Sequence, residues 1–263
     1  MSLVPLFALA LAPLQGGYLE KNWEWTGPHP GQYAGSYLAA AGDFSGDGRS
    51  DFLVGAPRAS PQGYSSGSLF ILDGQDGSLL RRFDGTETEA RFGTIAASAG
   101  DVNGDQIPDL LVGAPDASAG GITSAGAAYL LSGSNGAQLA HWYGTTSNGS
   151  LGASLAAGAD LTGDGIPDLV IGDAFHKQGS IAGAGRFLVI SGATRMVVLE
   201  QTGSANSYLG YVIAIAPDLD RDGVQDLVYS EGGANPTLRA MSVARGSLIW
   251  SASPSSSSYV QCV

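Results

Sequence analysis

The chain has a single cysteine, Cys262, near its C-terminus. No disulfide framework can form within it, so cysteine usage leaves the compartment open and any stapling must come from packing or bound ions. Basic residues are also scarce, 12 against 24 acidic ones, for a formal net charge of −12. With no basic patch to neutralise phosphates, nucleic acid is a poor candidate partner. The apolar run over residues 1–17 is too short to span a membrane, and no Lys or Arg precedes Lys21. His29, His141 and His176 stand singly. There is no phosphate loop and no dinucleotide fingerprint. Gly63-Tyr-Ser-Ser-Gly67 spells a G-x-S-x-G nucleophile pattern, but without a strand-turn-helix context it reads as a turn. An enzyme is not the expectation.

What is abundant is glycine, 40 of 263 residues, alongside a 44% hydrophobic fraction that suffices for a packed core. That balance favours many short strands joined by tight turns. The chain is organised around Asp101-Val-Asn-Gly-Asp-Gln-Ile-Pro-Asp109, followed at once by Leu-Leu-Val-Gly-Ala-Pro115. Oxygen-bearing side chains fall on every second residue and then four further on. Carboxylates packed so densely repel one another unless a cation sits between them. Ca²⁺ suits irregular oxygen cages of about six to eight ligands.

The stretch recurs three times, as Asp43–Asp51, Asp160–Asp168 and Asp218–Asp226, with first aspartates spaced 58, 59 and 58 residues apart. Thirteen of the 24 acidic residues lie in these four loops, so the negative charge is mostly loop charge. Four bound Ca²⁺ would reduce the net charge to about −4. An EF-hand loop requires Glu at position 12, where this chain has Val54, Val112, Ile171 and Tyr229. Those are strand residues, so EF-hands are excluded.

Aligning on the loops exposes the rest of the repeat. A glycine stands eight residues before each loop, at Gly35, Gly93, Gly152 and Gly210, and a strand runs from it to the loop. A second strand leaves the loop, and two more follow after a Gly/Ser/Ala-rich connector. Four antiparallel strands per repeat is the unit of a β-propeller blade. The expected fold is all-β, a propeller of about four blades at residues 28–85, 86–144, 145–202 and 203–250, within a propeller region of 18–255. Asn22-Trp-Glu-Trp-Thr26 reads as a fourth strand of a preceding blade. Residues 1–17 resemble a secretory signal, and residues 251–263 read as a tail or the start of a further blade. The arrangement is either a small closed propeller or, favoured by the abrupt stop, an open arc of a larger one.

With these residues in hand, the chain resembles the FG-GAP repeat, the blade unit of the integrin α-subunit propeller. Phe92-Gly93 and Gly113-Ala114-Pro115 give both halves of the name in the second repeat. The first keeps Gly55-Ala56-Pro57, the third Leu151-Gly152 with Gly172-Asp173-Ala174, and the fourth Leu209-Gly210 with Ser230-Glu231-Gly232. The resemblance implies a calcium-bearing, usually extracellular propeller. It places ligands at loop positions 1, 3, 5 and 9, with a main-chain carbonyl at position 7. Carried over, these are Asp43, Ser45, Asp47, Arg49 and Asp51; Asp101, Asn103, Asp105, Ile107 and Asp109; Asp160, Thr162, Asp164, Ile166 and Asp168; and Asp218, Asp220, Asp222, Val224 and Asp226.

Two expectations separate the loops. The fourth, with four carboxylates, should bind most tightly. The second has Gln106 where the others have glycine, so a turn needing positive φ would be strained there. Up to four Ca²⁺ in a structural role, a secreted or cell-surface location, and an unknown protein or carbohydrate ligand complete the reading. The function expected is an adhesion or protein-interaction scaffold, with a lectin-like propeller or a non-catalytic module of a secreted enzyme as alternatives. An open arc would also leave room for self-association.

Overall fold

The computed structural model describes residues 23–232 and 237–253. The apolar segment 1–17 and residues 254–263 lie outside them. Sixteen strands form four separate four-stranded sheets, each an antiparallel meander in sequence order. The first blade comprises β1 (Tyr37–Gly42), β2 (Asp51–Ala56), β3 (Ser68–Leu72) and β4 (Leu79–Asp84). The second comprises β5 (Ile95–Gly100), β6 (Asp109–Ala114), β7 (Ala127–Leu131) and β8 (Gln138–Tyr143). The third comprises β9 (Ser154–Ala159), β10 (Asp168–Asp173), β11 (Arg186–Ile190) and β12 (Val197–Thr202). The fourth comprises β13 (Ile213–Ala216), β14 (Asp226–Glu231), β15 (Thr237–Ser242) and β16 (Ser247–Ala252).

The second and third strands are short apolar runs because both faces of a blade are covered. Every residue of β6, β10 and β11 is buried. The fourth strands are sheet edges and are mostly exposed, as in β4 and β16. The core lies between blades rather than within them. Phe83 of β4 joins Leu110, Val112 and Leu131 of the second blade. Trp142 of β8 packs on a cluster holding Leu169, Ile171 and Leu188 of the third, and Leu199 of β12 on one holding Leu227 and Tyr229 of the fourth. Burying this much apolar surface between neighbours is what makes a single blade insufficient and an array stable.

The glycines of the repeat follow from this stacking. The Gly93 N–H donates to the Gly113 carbonyl of its own blade at 3.0 Å, and Gly152 repeats the bond with Gly172 at 2.9 Å. A Cβ on Gly113 would collide with the Gly152 carbonyl, and one on Gly55 with that of Gly93. Only glycine admits the next backbone so closely. Further bonds cross between blades: Phe92 N–H to the Ser66 carbonyl, Leu151 N–H to that of Ala125, and Leu209 N–H to that of Ala184. The Tyr37 hydroxyl donates to the Ala96 carbonyl at 2.6 Å.

The innermost strands pack in series, β1 on β5, β5 on β9 and β9 on β13. Among the described residues no comparable packing returns from β13 to β1. The array is thus an open or partial propeller. Of the segment read as a leading strand, Asn22 lies outside the described residues and residues 23–26 are assigned no strand. Its side chains nonetheless cover the first blade: Trp23 meets Phe52 at 5.8 Å between ring centroids, and Trp25 meets Phe70 at 5.0 Å.

Candidate metal centres

Each aspartate loop is the tip of the hairpin between the first and second strands of its blade, so the four tips fall at equivalent places in successive blades. The bends come from residues in the left-handed region. Gly46, Gly104 and Gly163 occupy position 4 with φ of 79°, 82° and 82°, and Gly48, Gly165 and Gly223 occupy position 6 with φ of 85°, 86° and 92°. Two loops break the glycine pattern at these places: Gln106 has φ 69° at position 6, and Arg221 has φ 60° at position 4. The expected strain at Gln106 is therefore present, and Arg221 carries a matching strain that the sequence reading missed.

Within a loop the aspartates do different work. The position-1 carboxylate collects the N–H groups of the bend. Asp160 accepts from Gly163 and Asp164 at 2.7 and 3.2 Å on one oxygen, and from Gly165 at 2.7 Å on the other. Asp43 and Asp101 do the same. The position-5 carboxylate accepts the N–H of position 7 with its Oδ1, at 2.8 Å in Asp47, 3.0 Å in Asp105, 2.9 Å in Asp164 and 2.9 Å in Asp222. In the last three blades its Oδ2 meets a serine at the end of the third strand or in the turn after it: Ser134 donates to Asp105 at 2.6 Å, Ser191 to Asp164 at 3.4 Å and Ser242 to Asp222 at 3.0 Å. No hydrogen bond among the described residues ends on the carbonyls of Arg49, Ile107, Ile166 or Val224.

The position-9 aspartates, Asp51, Asp109, Asp168 and Asp226, are fully buried at the start of each second strand. In the first three blades both oxygens are engaged. Asp168 Oδ2 accepts the Leu161 and Thr162 N–H groups at 2.8 Å each, and its Oδ1 accepts that of Gly192 at 2.9 Å. Gly192 belongs to the turn between β11 and β12, so this carboxylate ties the loop to the neighbouring turn. Asp51 and Asp109 repeat the tie with Gly74 and Gly133. Those three glycines press so close that a Cβ would collide with the carbonyls of Ser50, Pro108 and Pro167.

In the fourth blade Val243 stands at that place. Asp226 Oδ1 is buried there with no partner, as is Asp220 Oδ1. Asp218, Asp220 and Asp222 here bring one carboxylate oxygen each within 4.8 Å of one another, a clustering of three acids seen in no other loop among the described residues. Burial pushes the carboxyls of Asp109, Asp168 and Asp226 up from the ordinary range. The Ser134 hydroxyl and the Gly223 N–H hold Asp105 and Asp218 down.

The donor set fits a hard cation such as Ca²⁺, being oxygen throughout, with uncommitted main-chain carbonyls and orphaned buried carboxylate oxygens in the fourth loop. The residues that would hold it are those at positions 1, 3, 5, 7 and 9. In the first three blades the position-9 aspartates also tie the loop to the sheet through backbone donors. Ser45, Asn103 and Thr162 offer only neutral oxygens at position 3, which is why the first three loops gather no acidic triad.

Comparison with known proteins accords with this architecture. The FG-GAP repeat family matches residues 36–72, 92–131 and 151–190, the first three blades. The chain is 33% identical to integrin alpha-5 of Xenopus laevis over 218 residues, covering 77% of this chain and 20% of that protein. It is 31% identical to integrin alpha-V of Gallus gallus over 223 residues, covering 80% and 21%. It is also 35% identical to the phosphatidylinositol-glycan-specific phospholipase D of Bos taurus over 160 residues, covering 54% and 19%. The chain thus spans about a fifth of the length of these relatives. With four blades of the same meander, three of them matched by the family's repeat, the chain belongs to the FG-GAP repeat family and is homologous to integrin α subunits.

Proposed function

We propose that this chain is an extracellular calcium-bearing FG-GAP propeller segment serving as an adhesion or protein-interaction scaffold, with the cations structural and no catalysis of its own. The observation that carries this is the fourth loop. Three carboxylates converge there, and two buried oxygens, Asp220 Oδ1 and Asp226 Oδ1, have no partner. A cation in such a place converts carboxylate repulsion into attraction and couples its binding to folding. The loops occupy hairpin tips, and the 2–3 and 4–1 connectors lie at the opposite ends of the strands, free to vary as a recognition face. The test is thermal unfolding of chelator-stripped, gel-filtered protein with and without CaCl₂. A calcium-dependent rise in midpoint supports filled loops, and an unchanged midpoint overturns the metal assignment. Dimers or larger species on gel filtration would identify open arcs that pair.

A second reading, carbohydrate binding, is favoured by one feature. A cavity of about 640 Å³ lies between the first two blades, with Arg81, Phe83, Phe92, Tyr129, Asn135 and Gln138 among its walls. Apolar rings beside amide and guanidinium donors suit a sugar ring. Binding on a glycan array that is lost in Tyr129→Ala and retained in Asp222→Ala would favour this reading over the first.

A further inference from the structure

The fourth blade has exchanged one kind of fastening for another. In blades one to three the turn between the third and fourth strands is held by a glycine N–H on the buried position-9 aspartate. Val243 makes no such bond to Asp226 Oδ1, and in its stead Arg245 of the same turn reaches the loop. Its Nη1 donates to Asp220 Oδ2 at 2.7 Å, and its Nε lies 3.4 Å from Asp222 Oδ2. The corresponding residues of the other blades are Asp76, Asn135 and Thr194, none of them cationic. Asp220 is itself the extra acid, where the other loops have Ser45, Asn103 and Thr162. The guanidinium thus offsets the extra carboxylate of the fourth loop. It does so by bridging positions 3 and 5, two of the carboxylates a divalent ion would bridge.

We infer that Arg245 is an internal counter-cation of the fourth loop, and that a divalent ion entering there displaces it. This rests on the metal reading proposed above. Two consequences follow. The carboxylate count overstates the affinity of this loop, because the ion must first break two ion pairs. In addition, metal entry removes the Arg245 hold on the turn at residues 242–246 and leaves only the Ser242 hydroxyl on Asp222, whereas the other three turns keep their tie to the buried aspartate. The fourth blade therefore couples calcium level to the freedom of its outermost hairpin, β15–β16.

The experiment is a chelator-competition titration of Ca²⁺ on the full chain as wild type, Arg245→Ala, Arg245→Gln and Asp220→Asn. Asp220→Asn identifies the constant that belongs to the fourth loop. Removing an exposed ion pair of this kind should tighten that constant by about fivefold in both Arg245 variants. Arg245→Lys, which restores the charge, should bring it back toward wild type. An unchanged or weakened constant in Arg245→Ala and Arg245→Gln overturns the inference. Hydrogen exchange on the wild type is a second readout needing no variant. Added Ca²⁺ should speed exchange in the 242–246 turn while slowing it in the turns at 73–77, 132–136 and 191–195; slowing in all four would overturn it as well. Absence of any calcium binding in wild type and variants alike would instead remove the metal reading on which it rests.

Discussion

Asp168→Ala separates the two jobs that a position-9 aspartate could have. The side chain is fully buried and accepts three backbone N–H groups, from Leu161, Thr162 and Gly192, at 2.8, 2.8 and 2.9 Å. A hydrogen bond to a charged group contributes about 1.5–3 kcal/mol, and a buried donor left without an acceptor costs a similar amount. Part of that is recovered, because the carboxylate is itself desolvated and the loop donors can turn toward water. We expect a net loss of about 3 kcal/mol, a large share of an ordinary domain's stability. The loss should be present in EDTA, since none of these partners is a metal. Asp160→Ala is the control: its three donors sit at the exposed loop tip and meet water when released, so the cost in EDTA should be about 1 kcal/mol. Urea unfolding followed by circular dichroism, in EDTA and again in CaCl₂, gives the four numbers. If Asp168→Ala is nearly silent in EDTA and severe only in calcium, the residue is a metal ligand alone and the tie between loop and turn contributes nothing.

Three further outcomes follow from the same structure. Gln106→Gly should relieve the left-handed strain at φ 69°; it should stabilise the second loop by roughly 0.5–1 kcal/mol, with a tighter calcium constant in the same titration, and a destabilised variant would refute this. Arg186 is buried and holds Asp173 at 3.0 Å, Glu200 at 2.9 Å and the Thr145 hydroxyl at 3.1 Å. Arg186→Ala strands the fully buried Asp173 and should cost about 3–5 kcal/mol, so adding Asp173→Ala should restore part of the lost midpoint. Burial raises the phenols of Tyr37, Tyr129 and Tyr229 above the ordinary tyrosine range. The folded protein then holds protons that the unfolded chain has released above about pH 10. Their contribution is full below that pH and is lost as pH rises through the raised values. Absorbance at 295 nm should show these three ionising late, and Tyr229→Phe should remove one late step.

The repeat, the strand count per blade and the loop positions were legible in the sequence, because a metal loop and a close-packed glycine leave rigid spacings. Gly113 is an instance: no other residue fits against the Gly152 carbonyl, so the motif shows in the letters. Gln106 likewise announced its strain by departing from glycine at a bend. Arg221 departs in the same way from Gly46, Gly104 and Gly163 at position 4, so its left-handed φ was equally legible in the letters.

Other features were decided by the tertiary structure. A run of aspartates shows that oxygens are near one another, but not which of them are already taken. Asp51, Asp109 and Asp168 read as ligands in the sequence, and the fold also engages their oxygens with backbone donors up to 24 residues away. The substitution of Val243 for glycine and the arginine two residues beyond it belong to a different hairpin from the fourth loop. Only the blade's meander brings them against Asp220 and Asp222. Sequence fixes local geometry through φ and spacing, whereas charge balance at a site depends on neighbours that the chain folds back to meet.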